Sequence, residues 1–193
     1  NVDILAFTDT HGDEALESLQ EPARQADIAI CAGDITTMGH DIDTILESID
    51  NLPCQTYVIP GNHEDPQALK NISLLLDNIT YLHQQILDVN NYHLLGYGGE
   101  GFSFTTEAFE TFVTNTPIPQ NNIILVTHQP PHNTALDKVN GRHTGNNSFR
   151  KFIDAHNVIL SLSGHIHENF EVTDTVDNVK YMNPGPNGLL LTV

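Results

Sequence analysis

Basic residues are scarce in this chain: seven Lys and Arg stand against 25 Asp and Glu in 193 residues, a formal charge of −18. Proteins that grip duplex nucleic acid neutralise its phosphates with clustered Lys and Arg. No such cluster occurs here, so a long nucleic acid is not an expected partner. The acid excess reads as a solvated coat. Cysteine is scarce as well. Cys31 and Cys54 are too few and too far apart for a Cys-x-x-Cys zinc or redox motif, and a disulfide scaffold is excluded. Both thiols are expected to stay reduced, in keeping with a cytoplasmic protein. No apolar stretch approaches the ~18 to 20 residues that cross a bilayer, so a soluble chain without a membrane partner is expected. Internal repeats and low-complexity linkers are missing too, and the length suits a single domain over residues 1–193.

What the chain does contain is short apolar runs that end in polar loops. Residues 2–7, 28–32 and 56–59 predict strands, and each is followed by a segment of helical periodicity, at 13–25, 41–49 and 66–75. Three such units in succession predict a right-handed βαβ sheet. Short strands at 80–82, 86–89 and 92–97 suggest meander pairing, with a helix at 106–113. A buried strand at 123–127 leads into a polar loop reaching about Asn146, long enough to be functional. A helix to His156, a strand at 158–162 and short strands around Asn183-Pro184-Gly185 complete the chain.

Five of the apolar strands run at their carboxyl ends into loops rich in Asp, His or Asn: Asp9-x-His11, Gly33-Asp34, Gly61-Asn62-His63-Glu64, His128, and Gly164-His165-x-His167. In open α/β sheets such loops converge on one crevice, where ligands bind. Taken singly, each fragment has an ordinary explanation as turn punctuation, a helix cap or a buried histidine. Their recurrence at successive strand ends points to one shared site. Four histidines, two aspartates and an asparagine amide form a nitrogen and oxygen ligand set without sulfur, suited to manganese, iron, zinc, cobalt or nickel. Seven ligands are too many for one tetrahedral ion and suit two ions if one carboxylate bridges.

These five segments, in this order from Asp9 to His167, resemble the calcineurin-like metallophosphoesterase superfamily. The resemblance implies an α/β fold, a four-layer αββα sandwich of two mixed sheets flanked by helices. It implies one divalent ion on Asp9, His11, Asp34 and His167 and a second on Asp34, Asn62, His128 and His165, with Asp34 bridging. His63 holds the family position that contacts the phosphoryl group and assists the leaving group. The implied activity is hydrolysis of a small phosphomonoester or phosphodiester by in-line attack of a metal-bridging hydroxide, with His63 as imidazolium aiding the departing oxygen.

The chain departs from the protein phosphatases of the superfamily, in which a second-motif Asp orients the catalytic histidine, because Thr37 stands in that place. This disfavours a protein phosphatase and leaves the partner of His63 to be found. The nuclease branch carries further domains and basic surface that this chain lacks. The stretch from His128-Gln129-Pro130-Pro131 through Gly141-Arg142-His143-Thr144-Gly145 to Arg150 is similar to small archaeal phosphoesterases near the cyclic-nucleotide phosphodiesterases. It makes His143 and Arg150 candidate substrate contacts, with His132 a weaker one; the plainer reading of Arg150 is an i,i+4 pair with Asp154. His40, His83, His93 and His156 read as surface or core residues. The rival from another class is a non-catalytic metal-binding or interaction module on the same fold, which would be expected to lack ligands that this chain has.

Overall fold

The computed structural model describes residues 1–193. In chain order it runs β1 (Asp3–Phe7), α1 (Gln20–Arg24), β2 (Ile28–Cys31), α2 (Ile42–Asp50), β3 (Gln55–Val58), α3 (Pro66–Ser73) and β4 (Ile79–Tyr81). The path continues through β5 (Gln85–Val89), β6 (Tyr92–Tyr97), α4 (Glu107–Thr114), β7 (Ile123–Thr127), β8 (Lys138–Val139) and β9 (Arg142–His143). It ends with α5 (Asn147–Ala155), β10 (Val158–Leu162), β11 (Thr173–Val176), β12 (Val179–Met182) and β13 (Leu189–Thr192). One sheet has the order β13-β1-β2-β3-β4 and the other β11-β12-β10-β7-β6-β5. In the first, β1 to β4 are parallel and β13 is antiparallel to β1. In the second, β6, β7, β10 and β12 are parallel, with antiparallel strands at both edges.

Period-two alternation sorts the strand side chains into layers. On β1, Leu5 and Phe7 pack with Leu46 and Ile49 of α2 and Leu69 of α3, while Ile4 and Ala6 face inward. There they meet Leu94 of β6, Ile124 and Val126 of β7, and Leu160 and Leu162 of β10, so the two sheets share one apolar interior. The alternate residues Leu95, Ile123 and Leu125 face outward onto Phe109 of α4 and Phe149, Phe152 and Ile153 of α5. The result is the expected αββα sandwich.

Three local expectations need correction. The helix expected at 13–25 is a 3₁₀ segment at Glu14–Leu19 followed by the five-residue α1. Pro22 has no N–H to give the Ser18 carbonyl and its ring crowds that position, so one continuous α-helix cannot form. The strand expected at 80–82 does not join a meander; it is β4, parallel to β3 at the edge of the first sheet, because α3 carries the chain through another crossover. The long loop after β7 contains the β8–β9 hairpin, turning at Asn140 (φ 52°) and Gly141 (φ 76°). Asn-Gly is the strong two-residue hairpin signal, and here it sits inside a stretch whose polarity reads as loop.

Two contacts secure the strand ends. Glu64, buried, accepts from the backbone N–H groups of Asp34 (2.7 Å), Gly61 (3.0 Å) and Thr36 (3.2 Å) and from the Thr36 hydroxyl (2.7 Å). One carboxylate thereby locks the loops after β2 and β3 together. His83 lies where the chain crosses from β4 to β5, and its Nδ1 accepts from the Gly98 N–H at 2.8 Å.

Burial pushes the His83 pKa down to about 4 from an ordinary 6.5, so the ring is neutral in the fold. Between those values the unfolded chain takes up a proton that the folded chain refuses. The stability that His83 contributes is full above about pH 6.5 and is lost as pH falls toward 4. His83→Gln keeps an acceptor for Gly98 and does not titrate. Urea unfolding at pH 7 and pH 4.5 should show the variant losing less stability on acidification than the parent, by on the order of 2 kcal/mol.

Candidate metal centre

The carboxyl ends of β1, β2, β3, β7 and β10 deliver eight side chains to one place. Asp9 and His11 follow β1, Asp34 follows β2, Asn62 and His63 follow β3, His128 follows β7, and His165 and His167 follow β10. To aim these side chains, the backbone turns through the left-handed region at Asp9 (φ 57°), His11 (φ 48°), Asp34 (φ 54°) and His165 (φ 70°). Such conformations cost non-glycine residues roughly 1–2 kcal/mol each, and surrounding contacts must hold them. Gly61 is required for a different reason: a Cβ there would run into the Asp34 carboxylate.

Three groups of potential ligand atoms lie within 4.8 Å of one another: Asp9, His11 and His167; His11, Asp34 and His63; and Asp34, His128 and His165. In the first, Asp9 Oδ1 is 3.2 Å from His167 Nε2 and 3.6 Å from His11 Nε2. In the last, His128 Nε2 is 3.1 Å from Asp34 Oδ2 and 2.9 Å from Asn62 Oδ1, while His165 Nδ1 is 3.1 Å from the same Asn62 oxygen. Asp34 joins the groups. Its Oδ1 accepts the His63 N–H at 2.9 Å, and its Oδ2 faces His128 on one side and His11 Nε2, 3.8 Å away, on the other.

The protons on two rings follow from their far sides. His128 Nδ1 is 2.8 Å from the Ala32 carbonyl and His11 Nδ1 is 2.8 Å from the Thr36 carbonyl. A carbonyl only accepts, so both Nδ1 atoms carry hydrogen and, in the neutral rings, both Nε2 atoms present lone pairs. Those lone pairs point at carboxylate and amide oxygens, which are acceptors too. Buried His11 Nε2 has no hydrogen-bond partner at all. A cluster of acceptors aimed at one another fits a cation between them, and a backbone carbonyl behind a histidine is the usual support of a metal ligand. The residues therefore suit divalent metal ions.

The electrostatics agree. Burial opposes ionisation of Asp9, but the imidazoles of His11 and His167 and the charge of His128 hold its carboxyl far below the usual carboxylate range. Burial likewise opposes ionisation of Asp34, and His128 overrides it downward. The fully buried His128 is disfavoured as a cation by desolvation, yet Asp34 and Asp9 push it up to about 9. His11 is raised by Asp9, whereas His165 is lowered to about 4 by burial and by the charge of His128. No Lys or Arg pairs with either carboxylate.

His63 finds a partner that the sequence does not disclose. Its Nδ1 accepts from the Met38 N–H at 2.9 Å, and its ring meets His11 edge-on with centroids 4.9 Å apart. An acceptor Nδ1 puts the hydrogen of the neutral ring on Nε2. The substrate-contact candidates stand apart from the eight clustered side chains. His143 Nδ1 bonds the buried Asp137 at 2.6 Å. Arg150 donates to the carbonyls of His132 (3.1 Å) and Asn133 (2.8 Å) and pairs with Asp154 at 3.0 Å, the i,i+4 contact read from the sequence. Sequence reasoning assigns no role to Thr8, Glu64 or Asp137. Thr8 donates to Asp9 Oδ2 at 2.6 Å. Only Glu64 carries a signal, its place beside His63.

Comparisons with known proteins bear on the fold and the family. The chain is 28% identical over 197 residues to the uncharacterised protein MJ1162 of Methanocaldococcus jannaschii, covering 95% of this chain and 88% of that one. Its fold is similar to TT1561 of Thermus thermophilus, with a TM-score of 0.74 at 18% identity, covering 96% of this chain and 90% of that one. It is similar also to a phosphopantetheinyl hydrolase from Mycobacterium tuberculosis, with a TM-score of 0.67 at 15% identity, covering 94% and 88%. The calcineurin-like phosphoesterase pattern matches residues 2–169, a span that contains all eight clustered side chains. On that match, and on the sandwich that brings those side chains together, the chain belongs to the calcineurin-like phosphoesterase family, whose members use divalent metals.

Proposed function

We propose that the chain hydrolyses small phosphomonoesters or phosphodiesters with two divalent ions, one held by Asp9, His11, Asp34 and His167 and the other by Asp34, Asn62, His128 and His165. The observation that carries this reading is the single Asp34 oxygen, Oδ2, that faces His11 on one side and His128 on the other, with both Nε2 atoms turned toward it. Bound there, manganese, iron, zinc, cobalt or nickel supplies Lewis acidity, which lowers the pKa of a water from ~15.7 toward ~7 and neutralises phosphoryl oxygens.

The chain's own residues orient the substrate and handle the leaving group. Asp9 and Asp34 hold two negative charges away from solvent, and Glu64 fixes the loop that aims Asp34. With Nδ1 accepting from Met38, His63 presents its Nε2 hydrogen, a donor for a phosphoryl or departing oxygen.

Asp34→Asn is expected to lower turnover of an aryl phosphate or bis-aryl phosphate at least about a hundredfold and to leave no more than one tightly held ion per chain. Two ions and normal activity in that variant would overturn the bridge. His63→Ala should retain both ions by elemental analysis and lose about a hundredfold or more in kcat. Metal binding should also be linked to protons. Below about pH 9 a proton sits on His128, and a metal must displace it. Affinity measured against a competing chelator should therefore fall roughly tenfold per pH unit between pH 8 and 6. No turnover with any of these metals overturns the hydrolase reading in favour of a non-catalytic module.

A further inference from the structure

Beside the candidate centre, two phenylalanines point into solvent from a loop that is firmly held. Phe102 is 67% exposed and Phe104 is 59% exposed. Their backbone is not free to rearrange. The Ser103 carbonyl accepts from the Gln129 side chain at 2.8 Å and from the Asn146 side chain at 3.3 Å. The Phe104 carbonyl accepts from the Asn147 N–H at 2.6 Å. Gln129 and Asn146 are wholly buried, so the interior commits two amides to fixing one exposed loop. Both rings leave apolar area exposed to solvent.

Each ring has an aromatic neighbour, and one of those neighbours belongs to the cluster. Phe102 meets His165 edge-on with centroids 4.7 Å apart. Phe104 meets His132 edge-on at 5.3 Å, and His132 meets His143 at 5.8 Å. Arg150 secures the backbone of His132, and Gln129 ties the Thr144 carbonyl beside Ser103 at 3.2 Å. His143 is also fixed. Its Nδ1 is held by the buried Asp137, which further accepts from the N–H groups of Asn133 (2.8 Å), Thr134 (3.2 Å) and Gly145 (3.0 Å). That bond puts the Nδ1 hydrogen toward Asp137 and leaves the Nε2 edge of an exposed ring available to a ligand.

Rigid aromatic faces with an oriented imidazole edge next to them are the chemistry that recognises a planar unsaturated ring: the faces stack and the edge makes the hydrogen bond. A saturated alkyl group has no π-face of its own and gains less from flat aromatic faces than a planar ring does. We propose that Phe102, Phe104, His132 and His143 form the subsite for a planar aromatic ring on the alcohol portion of the phosphate ester, so that aryl-bearing esters are preferred over saturated ones. This inference rests on the phosphoesterase reading above and goes further by naming the class of leaving group and the residues that select it.

The test uses two non-hydrolysable ligands of equal size, benzylphosphonate and cyclohexylmethylphosphonate, which differ in planarity. Binding to the metal-loaded protein is measured by calorimetry. Benzylphosphonate should bind at least about fivefold more tightly. That preference should shrink toward unity in Phe104→Leu, whose ring pairs with His132 and with no clustered histidine, and in Phe102→Leu, with metal content checked in both. Saturation transfer from the protein should reach the benzyl ring protons more strongly in the parent than in either variant. Equal affinity for the two phosphonates, or a preference that survives both substitutions, overturns the subsite and leaves the phosphoesterase reading standing. Failure of both phosphonates to bind overturns the two together.

Discussion

Asp9 and Asp34 are buried carboxylates whose ionisable partners are imidazoles rather than Lys or Arg side chains, and two of those imidazoles are turned by backbone carbonyls so that their Nε2 atoms face inward. In a low-dielectric setting an uncompensated pair of negative charges is very costly, and the usual remedies are a proton or a metal ion. The rise of His128 to about 9 is the proton form of that remedy, achieved in a ring that burial alone would keep neutral. The metal form meets the same requirement with more charge and suits every donor in the set. A chain of net charge −18 thus builds, at one point, a pocket whose physics calls for cations.

Meeting that requirement shapes the surrounding fold. The parallel strands of both sheets end at the same rim, and the layered core behind them is almost entirely aliphatic and aromatic. Left-handed turns at Asp9, His11, Asp34 and His165 concentrate backbone strain at the rim. Glu64 counters it with four hydrogen bonds spanning the loops after β2 and β3, and Thr8 adds a fifth contact at Asp9. Glycine is needed at 61 for close approach and is not interchangeable there with alanine.

Thr37 stands where the protein phosphatases that the motifs resemble carry a carboxylate. Here the Met38 N–H donates to His63 Nδ1, which leaves the hydrogen of a neutral ring on Nε2. That contact fixes how the His63 ring is held beside His11 and Asp34. The same reliance on geometry extends outward along Phe102, Phe104, His132 and His143, where selectivity would come from shape and ring stacking rather than from basic side chains, in a protein with few of them.

Much of this is legible in the residue order. The strand runs at 4–7 and 123–126 are apolar along their whole length, which places them between layers, and the repeated ending of such runs in Asp, His or Asn discloses a shared rim. The local departures have plain causes: Pro22 interrupts a helix that apolar spacing alone suggests, and the Asn140-Gly141 turn is masked within a polar stretch. Arg150 shows the limit from the other side, since an i,i+4 pair is visible in sequence but its clamp on the His132 and Asn133 carbonyls is not. Residue order determined which side chains could hold cations and which layers they hang from, because periodicity and strand-end position are properties of neighbours along the chain. Only the tertiary structure decided that Asp34 Oδ2 lies between His11 and His128, that Met38 turns His63, and that Glu64 binds two loops. Those are contacts between residues distant in the chain, and their geometry exists only once the sheets have packed.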